Sequence, residues 1–297
     1  MKKRVAALIL ALVFACVSAA YAEDGQDTVL VSYLGPEGTY TEEAAQYFFT
    51  NGETLLPRDT VNDAIADILE SKADYAVIPQ ENTLGGAVVN YLDALIAAKG
   101  VYVVGEVVLP VSQTLMGMPG AVLSDIKTVC SHAQGLTQSA AWRAENLPDA
   151  ETMEMSSTAA AASYAAEQQD KSIAAIAAPG AAALYGLEVL AEDVQITDAN
   201  KTRFYILSEE PLEEALTRAV FVITCEGSLI DDVIAVVRDA GLELVALHDR
   251  PEGSALGVYH YVIEVEDASG ITEDQIRLVC ASGHTRFAGR FDMIEKG

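Results

Sequence analysis

The 297 residues, 51% of them hydrophobic and only 9 of them proline, describe a folded protein of about two domains rather than a disordered chain. With 18 basic against 44 acidic residues the formal charge is −26, which excludes nucleic acid and anionic membrane surfaces as partners. An anionic ligand would need concentrated positive potential, from an arginine or from helix N-termini. No P-loop or dinucleotide fingerprint is present, and His132, His248, His260 and His284 are spaced too widely for a local ligand pair, so neither metal nor cofactor is expected.

In chain order, residues 1–22 carry the marks of an export signal. Basic Lys2-Lys3-Arg4 precedes an apolar run from Val5 to Val17, and Ala20-Tyr21-Ala22 forms a cleavage site before Glu23. The run is shorter than the roughly 18 residues of a membrane span, so a cleaved, exported protein, periplasmic or extracellular, is the expectation. Cleavage after Ala22 removes three basic residues and no acids, leaving 15 against 44 and a formal charge of −29. Cys16 loosely imitates a lipoprotein acceptor. Bulky Phe14 makes that the weaker reading, and without lipidation no stable membrane contact is expected. Cys130, Cys225 and Cys280 are odd in number and lie in apolar or strand-like runs, against a disulfide framework.

From residue 28 to about 208, short apolar strands alternate with amphipathic or Ala-rich helices, an α/β arrangement. The pattern predicts strands at 29–34, 75–79, 101–111 and 173–177. It predicts helices at 42–49, 61–71, 90–99, 133–145, 158–168 and through Leu184. Two lobes are expected, residues 28–105 plus the return segment 188–208 and residues 106–187, with a cleft between them. The acidic, proline-bearing stretch 209–216 reads as a linker. Beyond it, strands at 219–225, 242–247, 259–265 and 286–293 and helices at 229–240 and 272–281 follow the order β-α-β-β-α-β of a ferredoxin-like unit, residues 217–297.

Several strand-to-helix junctions of the first domain end in small polar clusters. Gly35 to Glu42 and Ser131-His132-Ala133-Gln134 have capping-box spacing, Gln138 lies one turn further on, Pro79 to Gly86 includes Glu81-Asn82-Thr83, and Ser156-Ser157-Thr158 opens a helix. Such loops gather at the carboxyl ends of strands, where free N–H groups bind anions. Asn200-Lys201-Thr202-Arg203-Phe204 sets a hydroxyl, a permanent cation and an aromatic wall at a strand entrance. Arg203 suits a carboxylate, Thr202 a hydroxyl and Phe204 a ring. Glu81 reads equally as a cleft proton donor and as a holder of its own loop. His132 reads first as a structural histidine and second as a general acid.

These motifs, in order, resemble the prephenate dehydratase family. They are Gly35 to Thr39, Glu81-Asn82-Thr83, Ser131-His132-x-Gln134 with Gln138, Ser157-Thr158, Leu184-Tyr185-Gly186-Leu187 and Asn200-x-Thr202-Arg203-Phe204. The resemblance implies a two-lobed catalytic domain like a type II periplasmic binding protein, followed by a regulatory ACT domain. It implies decarboxylative dehydration of prephenate to phenylpyruvate without a cofactor, with Thr202, Arg203 and Phe204 in the active site and Asn82, Ser131 and Gln138 across the cleft. The residues themselves add Glu81 to the expected catalytic groups and Thr83, His132 and Ser157 to the expected substrate contacts. Arogenate dehydratase and a secreted solute-binding protein are the alternatives.

In the tail, Gly227-Ser228-Leu229 and His248-Asp249-Arg250-Pro251 stand at the positions that bind phenylalanine in the family's ACT domains. His248 and Asp249 depart from that pattern. Assembly into a homodimer or homotetramer is therefore expected ahead of retained phenylalanine control. Thr285-Arg286-Phe287 repeats the earlier tripeptide on the last strand, where it reads as structural.

Overall fold

The computed structural model describes residues 28–197, 199–281 and 283–296; the expected signal segment and Cys16 lie outside the described residues. Strands β1 (Leu30–Leu34), β2 (Thr54–Arg58) and β3 (Tyr75–Asn82) are parallel with β1 central, linked by helices α1 (Tyr40–Phe48) and α2 (Val61–Leu69). Thr39 and Thr60 start those helices by accepting from the backbone N–H groups of Glu42 and Asp63. A short strand β4 (Gly86–Ala87), helix α3 (Val89–Ala97) and strand β5 (Tyr102–Pro110) complete the first lobe before the chain leaves it.

The second lobe has its own sheet. It comprises β6 (Thr114–Gly117), β7 (Thr128–Ser131), α4 (Ala133–Gln138), α5 (Ala140–Asn146), β8 (Glu151–Glu154), α6 (Thr158–Gln168), β9 (Ile173–Ala177), α7 (Gly180–Tyr185) and β10 (Glu188–Ala191), with strand order β10-β6-β9-β7-β8. The chain returns on β11 (Lys201–Ser208), which slots antiparallel between β3 and β5. The hinge is thus two paired strands, β5 outbound and β11 inbound.

Two expectations shift. The second lobe begins after Pro110 and includes Glu188–Ala191, because the Val-rich β5 stays in the first sheet to its end and β10 pairs β6. The helix expected at 133–145 is two helices broken at Ser139, whose hydroxyl donates to the Gly135 carbonyl (2.7 Å) and accepts from Arg143 Nε (3.1 Å). Such back-bonding bends helices.

The C-terminal unit runs β12 (Arg218–Glu226), α8 (Ile230–Asp239), β13 (Glu243–Pro251), β14 (Val258–Glu266), α9 (Glu273–Cys280), β15 (Thr285–Phe291), with a final strand β16 (Met293–Glu295). Its sheet, β13-β14-β12-β15, is antiparallel throughout, the ferredoxin-like order. One face carries Phe221 and Ile263 against Val233, Val237, Ile276 and Val279 of its two helices. The other carries Val220, Val222, Val262 and Phe291 against Tyr91, Leu95 and Tyr205 of the first lobe. Each such burial contributes roughly 1.5–3 kcal/mol, so this unit is cemented to the lobe rather than tethered by its linker. β15 touches β5 where Gly289 meets Val103, and β16 pairs β5 from Met293 to Glu295. Gly289 has φ +128, and a Cβ there would sit 2.2 Å from the Val103 carbonyl oxygen, so the approach admits no side chain. Cys130, Cys225 and Cys280 are free. Among the described residues no helix is long and apolar enough to cross a membrane.

Candidate active site between the lobes

A cavity of about 500 Å³ lies between the lobes. Its walls are the starts of helices. Thr39, Tyr40 and Thr41 come from α1, Val88 and Asn90 from α3, and Ser156, Ser157 and Thr158 from α6. His132, Gln134, Gly135 and Gln138 are contributed by α4 and its cap. Each N-terminus carries roughly half a positive charge, and together they supply the potential that an acidic protein otherwise lacks. Ser157 caps α6 by accepting from Ala160 N (2.9 Å), whereas α3 starts with no side-chain cap and keeps its first N–H groups unclaimed by a capping side chain. His132 caps α4 through Nδ1, accepting from Gln134 N at 3.3 Å, which leaves its Nε2 as the donor. Tyr40 donates to the Ser112 carbonyl and ties α1 to the start of the second lobe. Burial, then the charge of Glu43, holds its hydroxyl above the ordinary tyrosine value, so it stays protonated.

A chain of amides crosses the cavity floor. Asn82 Oδ1 accepts from Leu84 N (3.1 Å), Gly85 N (2.9 Å) and Gln134 Nε2 (3.0 Å), the last from the opposite lobe. Its Nδ2 donates to Asn200 Oδ1 (2.8 Å) and Thr202 Oγ1 (2.9 Å). Asn200 Nδ2 donates in turn to Gln138 Oε1 at 3.2 Å, which also accepts from Gln113 Nε2 at 3.3 Å. Thr202, Asn82, Gln138 and Gln113 all line the cavity. Sequence reasoning named three of them and missed Gln113 and Asn200 as site residues. The signal for Gln113 was a lone amide in the mostly apolar stretch Val107 to Met118, and Asn200 opens the Asn200-x-Thr202-Arg203-Phe204 motif.

Arg203 stands elsewhere. Side chains alternate along a strand, so Thr202 faces the cavity and Arg203 faces the C-terminal unit. There its guanidinium meets Glu81 (3.3 Å), Glu264 (2.5 and 2.7 Å) and, through Nε, Glu106. Arg218 joins Glu106 at 3.2 Å and Glu264 at 2.9 Å, and the Tyr205 hydroxyl donates to Glu264 at 2.8 Å. Burial acts to lower the Arg203 value, but the Glu106 hydrogen bond and the charges of Glu264 and Glu106 outweigh it and hold the group above its ordinary value. Burial pushes the Glu106 carboxyl up, against the pull of Arg203.

The expected cleft trio is therefore divided. Only Thr202 lines the cavity, Arg203 and Glu81 pair on the far face of the sheet, and Phe204 is 1% exposed in the core beneath, with Val31 and Ile206. Two expected substrate contacts are also structural here. Ser131 is buried and donates to the Ile176 carbonyl (2.7 Å). The Thr83 hydroxyl clamps Lys201 by donating to its carbonyl (3.0 Å) and accepting from its N–H (3.1 Å). Asn82, His132, Gln138 and Ser157 are brought together around the cavity.

In the C-terminal unit, Gly227-Ser228-Leu229 forms a tight turn before α8, and Pro251 sits at the same end of the sheet, opposite Tyr259. A Cβ on Gly227 would lie 3.3 Å from the Tyr259 ring. Asp249 is exposed, and His248 is half-buried with Nε2 unpartnered among the described residues. Arg250 makes a two-pronged bond to Asp93 of α3 (2.7 and 2.9 Å), a contact back to the first lobe.

Fold and cavity define a two-lobed α/β protein with an interlobe pocket and a βαββαβ C-terminal unit. A profile of prephenate dehydratase matches residues 31–212. The prephenate dehydratase of Amycolatopsis methanolica is 32% identical over 242 residues, 80% of this chain and 78% of that protein. The bifunctional chorismate mutase/prephenate dehydratase of Neisseria gonorrhoeae is 32% identical over 240 residues, and the match spans 80% of this chain but 66% of that relative's length. The crystal structure of prephenate dehydratase from Arthrobacter aurescens in complex with L-Phe superposes with a TM-score of 0.80 at 30% identity, covering 89% of this chain and 90% of that one. This chain belongs to the prephenate dehydratase family.

Proposed function

We propose that the protein is a prephenate dehydratase, a hydro-lyase that converts prephenate to phenylpyruvate, carbon dioxide and water in phenylalanine biosynthesis. The observation that carries this reading is the bond from Asn82 Nδ2 to Thr202 Oγ1 inside the interlobe cavity. Because the threonine oxygen accepts there, its own proton is left to donate into the cavity. In the reaction the electrons of the C–CO2 bond move into the ring and the C–O bond to the ring hydroxyl breaks. Aromatisation drives both changes, so the protein's task is to hold a dianion and stabilise the departing oxygen. A donor that strengthens as charge develops is worth about 2.7–4 kcal/mol, a factor of 10²–10³ in rate.

The carboxylates fall to the N-termini of α1, α3 and α6 rather than to Arg203, and the His132 Nε2–H or water supplies the proton that hydroxide takes up. Glu81 is turned away from the cavity and leaves that list. The βαββαβ order, together with the L-Phe in the Arthrobacter aurescens complex, supports reading the C-terminal unit as an ACT domain, and assembly as a homodimer or homotetramer is part of the same proposal. Export on the residue 1–22 segment is part of the same proposal, supported by its basic, apolar and small-residue pattern. Purified protein mixed with prephenate, with no cofactor added, should yield phenylpyruvate. Failure to do so while the protein is folded overturns the reading.

A further inference from the structure

The side-chain amides on the cavity floor have a direction, and two backbone groups set it. Leu84 N and Gly85 N both point at one atom of Asn82, which must therefore be its oxygen. The Asn82 nitrogen then donates to Asn200, the Asn200 nitrogen donates to Gln138 Oε1, and Gln113 must offer its nitrogen to that same oxygen. Two atoms at the end of this chain have no hydrogen-bond partner among the described residues, Gln138 Nε2 and Gln113 Oε1. Their side chains belong to residues 5% and 3% exposed, and both line the cavity. The Gln113 backbone is clamped as well, its N–H donating to Gln195 Oε1 (2.8 Å) and its carbonyl accepting from Val194 N (2.9 Å). The amide cannot turn over without breaking the chain behind it.

A fixed acceptor beside a fixed donor selects a ligand group that is both donor and acceptor. An ionised carboxylate facing Gln113 Oε1 would set two acceptors together, and so would a ketone. On the reading that prephenate is the substrate, that molecule has two carboxylates, a ketone and a single hydrogen-bond donor, its ring hydroxyl. We infer that Gln113 and Gln138 form the subsite for that hydroxyl. Gln113 Oε1 accepts a hydrogen bond from it, and Gln138 Nε2 donates to the oxygen that leaves. Gln113 is then a specificity-determining residue that aims the departing oxygen at its donors.

The test compares two unreactive ligands by titration calorimetry, the ring-saturated analogue of prephenate and the same compound without its ring hydroxyl. The parent should bind the hydroxylated analogue tighter by about 10-fold or more, the cost of leaving a buried acceptor unpaired. Gln113→Met should bring the two affinities within about threefold while the deoxy analogue binds as before, which also certifies the variant's fold. Gln113→Glu keeps an acceptor of the same reach; it should weaken both analogues through charge but preserve the preference. A preference that survives Gln113→Met overturns the inference alone and is what binding of the hydroxyl elsewhere, or of an ammonium at Gln113, would give. A parent that binds neither analogue and does not turn over prephenate removes the substrate reading, and this subsite with it.

Discussion

Asn82 and Thr202, 120 residues apart in sequence, meet at 2.9 Å across paired strands, and the amide donates to the hydroxyl. The direction of that bond decides where the threonine proton goes. An acceptor at residue 82 would draw the proton back; a donor turns it outward to the cavity.

Thr202→Ala should lower kcat by about 10²–10³ and change KM by less than a few-fold, because the bond it makes strengthens only as the oxygen departs. Thr202→Ser, which keeps the hydroxyl, should recover most of the rate. Steady-state kinetics on prephenate decide it, and an Ala variant changed only in KM would contradict the role.

Asn82→Asp tests the polarity of the bond. The carboxylate still accepts from Leu84 N and Gly85 N but has nothing to donate to Asn200 or Thr202. The threonine hydroxyl should then donate to the introduced carboxylate, and kcat should fall by about 10–100-fold, with a loss of stability of about 1–3 kcal/mol because the buried Asn200 oxygen now faces an acceptor. An unchanged kcat would show that Thr202 does not rely on this amide.

Arg203 serves a different purpose from the one its neighbour suggests. Its partners Glu106 and Glu264 are 0% and 2% exposed, so Arg203→Met leaves two buried carboxylates with one cation fewer. The loss of stability should be about 3 kcal/mol or more by chemical denaturation. In the fraction that stays folded, KM for prephenate should stay within about threefold of the parent, whereas loss of a carboxylate clamp costs about tenfold per 1.4 kcal/mol. A large KM rise at unchanged stability would return Arg203 to the cleft.

The division of the tripeptide shows what the sequence carries and what it withholds. Asn200 to Phe204 marks a strand entrance rich in function, and Thr202 is indeed at the cavity. Which face of that strand looks into the cleft is a tertiary fact; once Thr202 is placed, alternation turns Arg203 away. Strands Leu30–Leu34 and Tyr102–Pro110 and the Thr39 cap were legible because apolar runs and a Thr-x-x-acid spacing announce them. Glu151–Glu154 was not, since it is exposed at every position and has no alternation to read. Thr54–Arg58 was masked by Pro57. Nor does anything local foretell that Gly289 lets the last sheet abut β5. That contact is written in a missing side chain.

The same cluster predicts a pH response. Burial raises the folded-state value of Glu106 above its ordinary 4.5, so the folded form binds this proton more tightly than the unfolded chain. The contribution to stability is whole below the ordinary value and is lost as pH rises through the raised one. Across that window the melting temperature of the parent should fall relative to Glu106→Gln, which has no proton to lose. Parallel melting curves for the two proteins from acid to neutral pH would refute it.

The described residues lining the cavity include no lysine or arginine, while the chain as a whole has a formal charge of −26. Attraction for a dianion is thus confined to dipoles at touching range, and repulsion acts from afar. Dissolved ions damp the far field first, over about 10 Å at 0.1 M, and scarcely reach the near one. Capture of the substrate should quicken as ionic strength increases, the reverse of an enzyme that steers its ligand home with exposed cations.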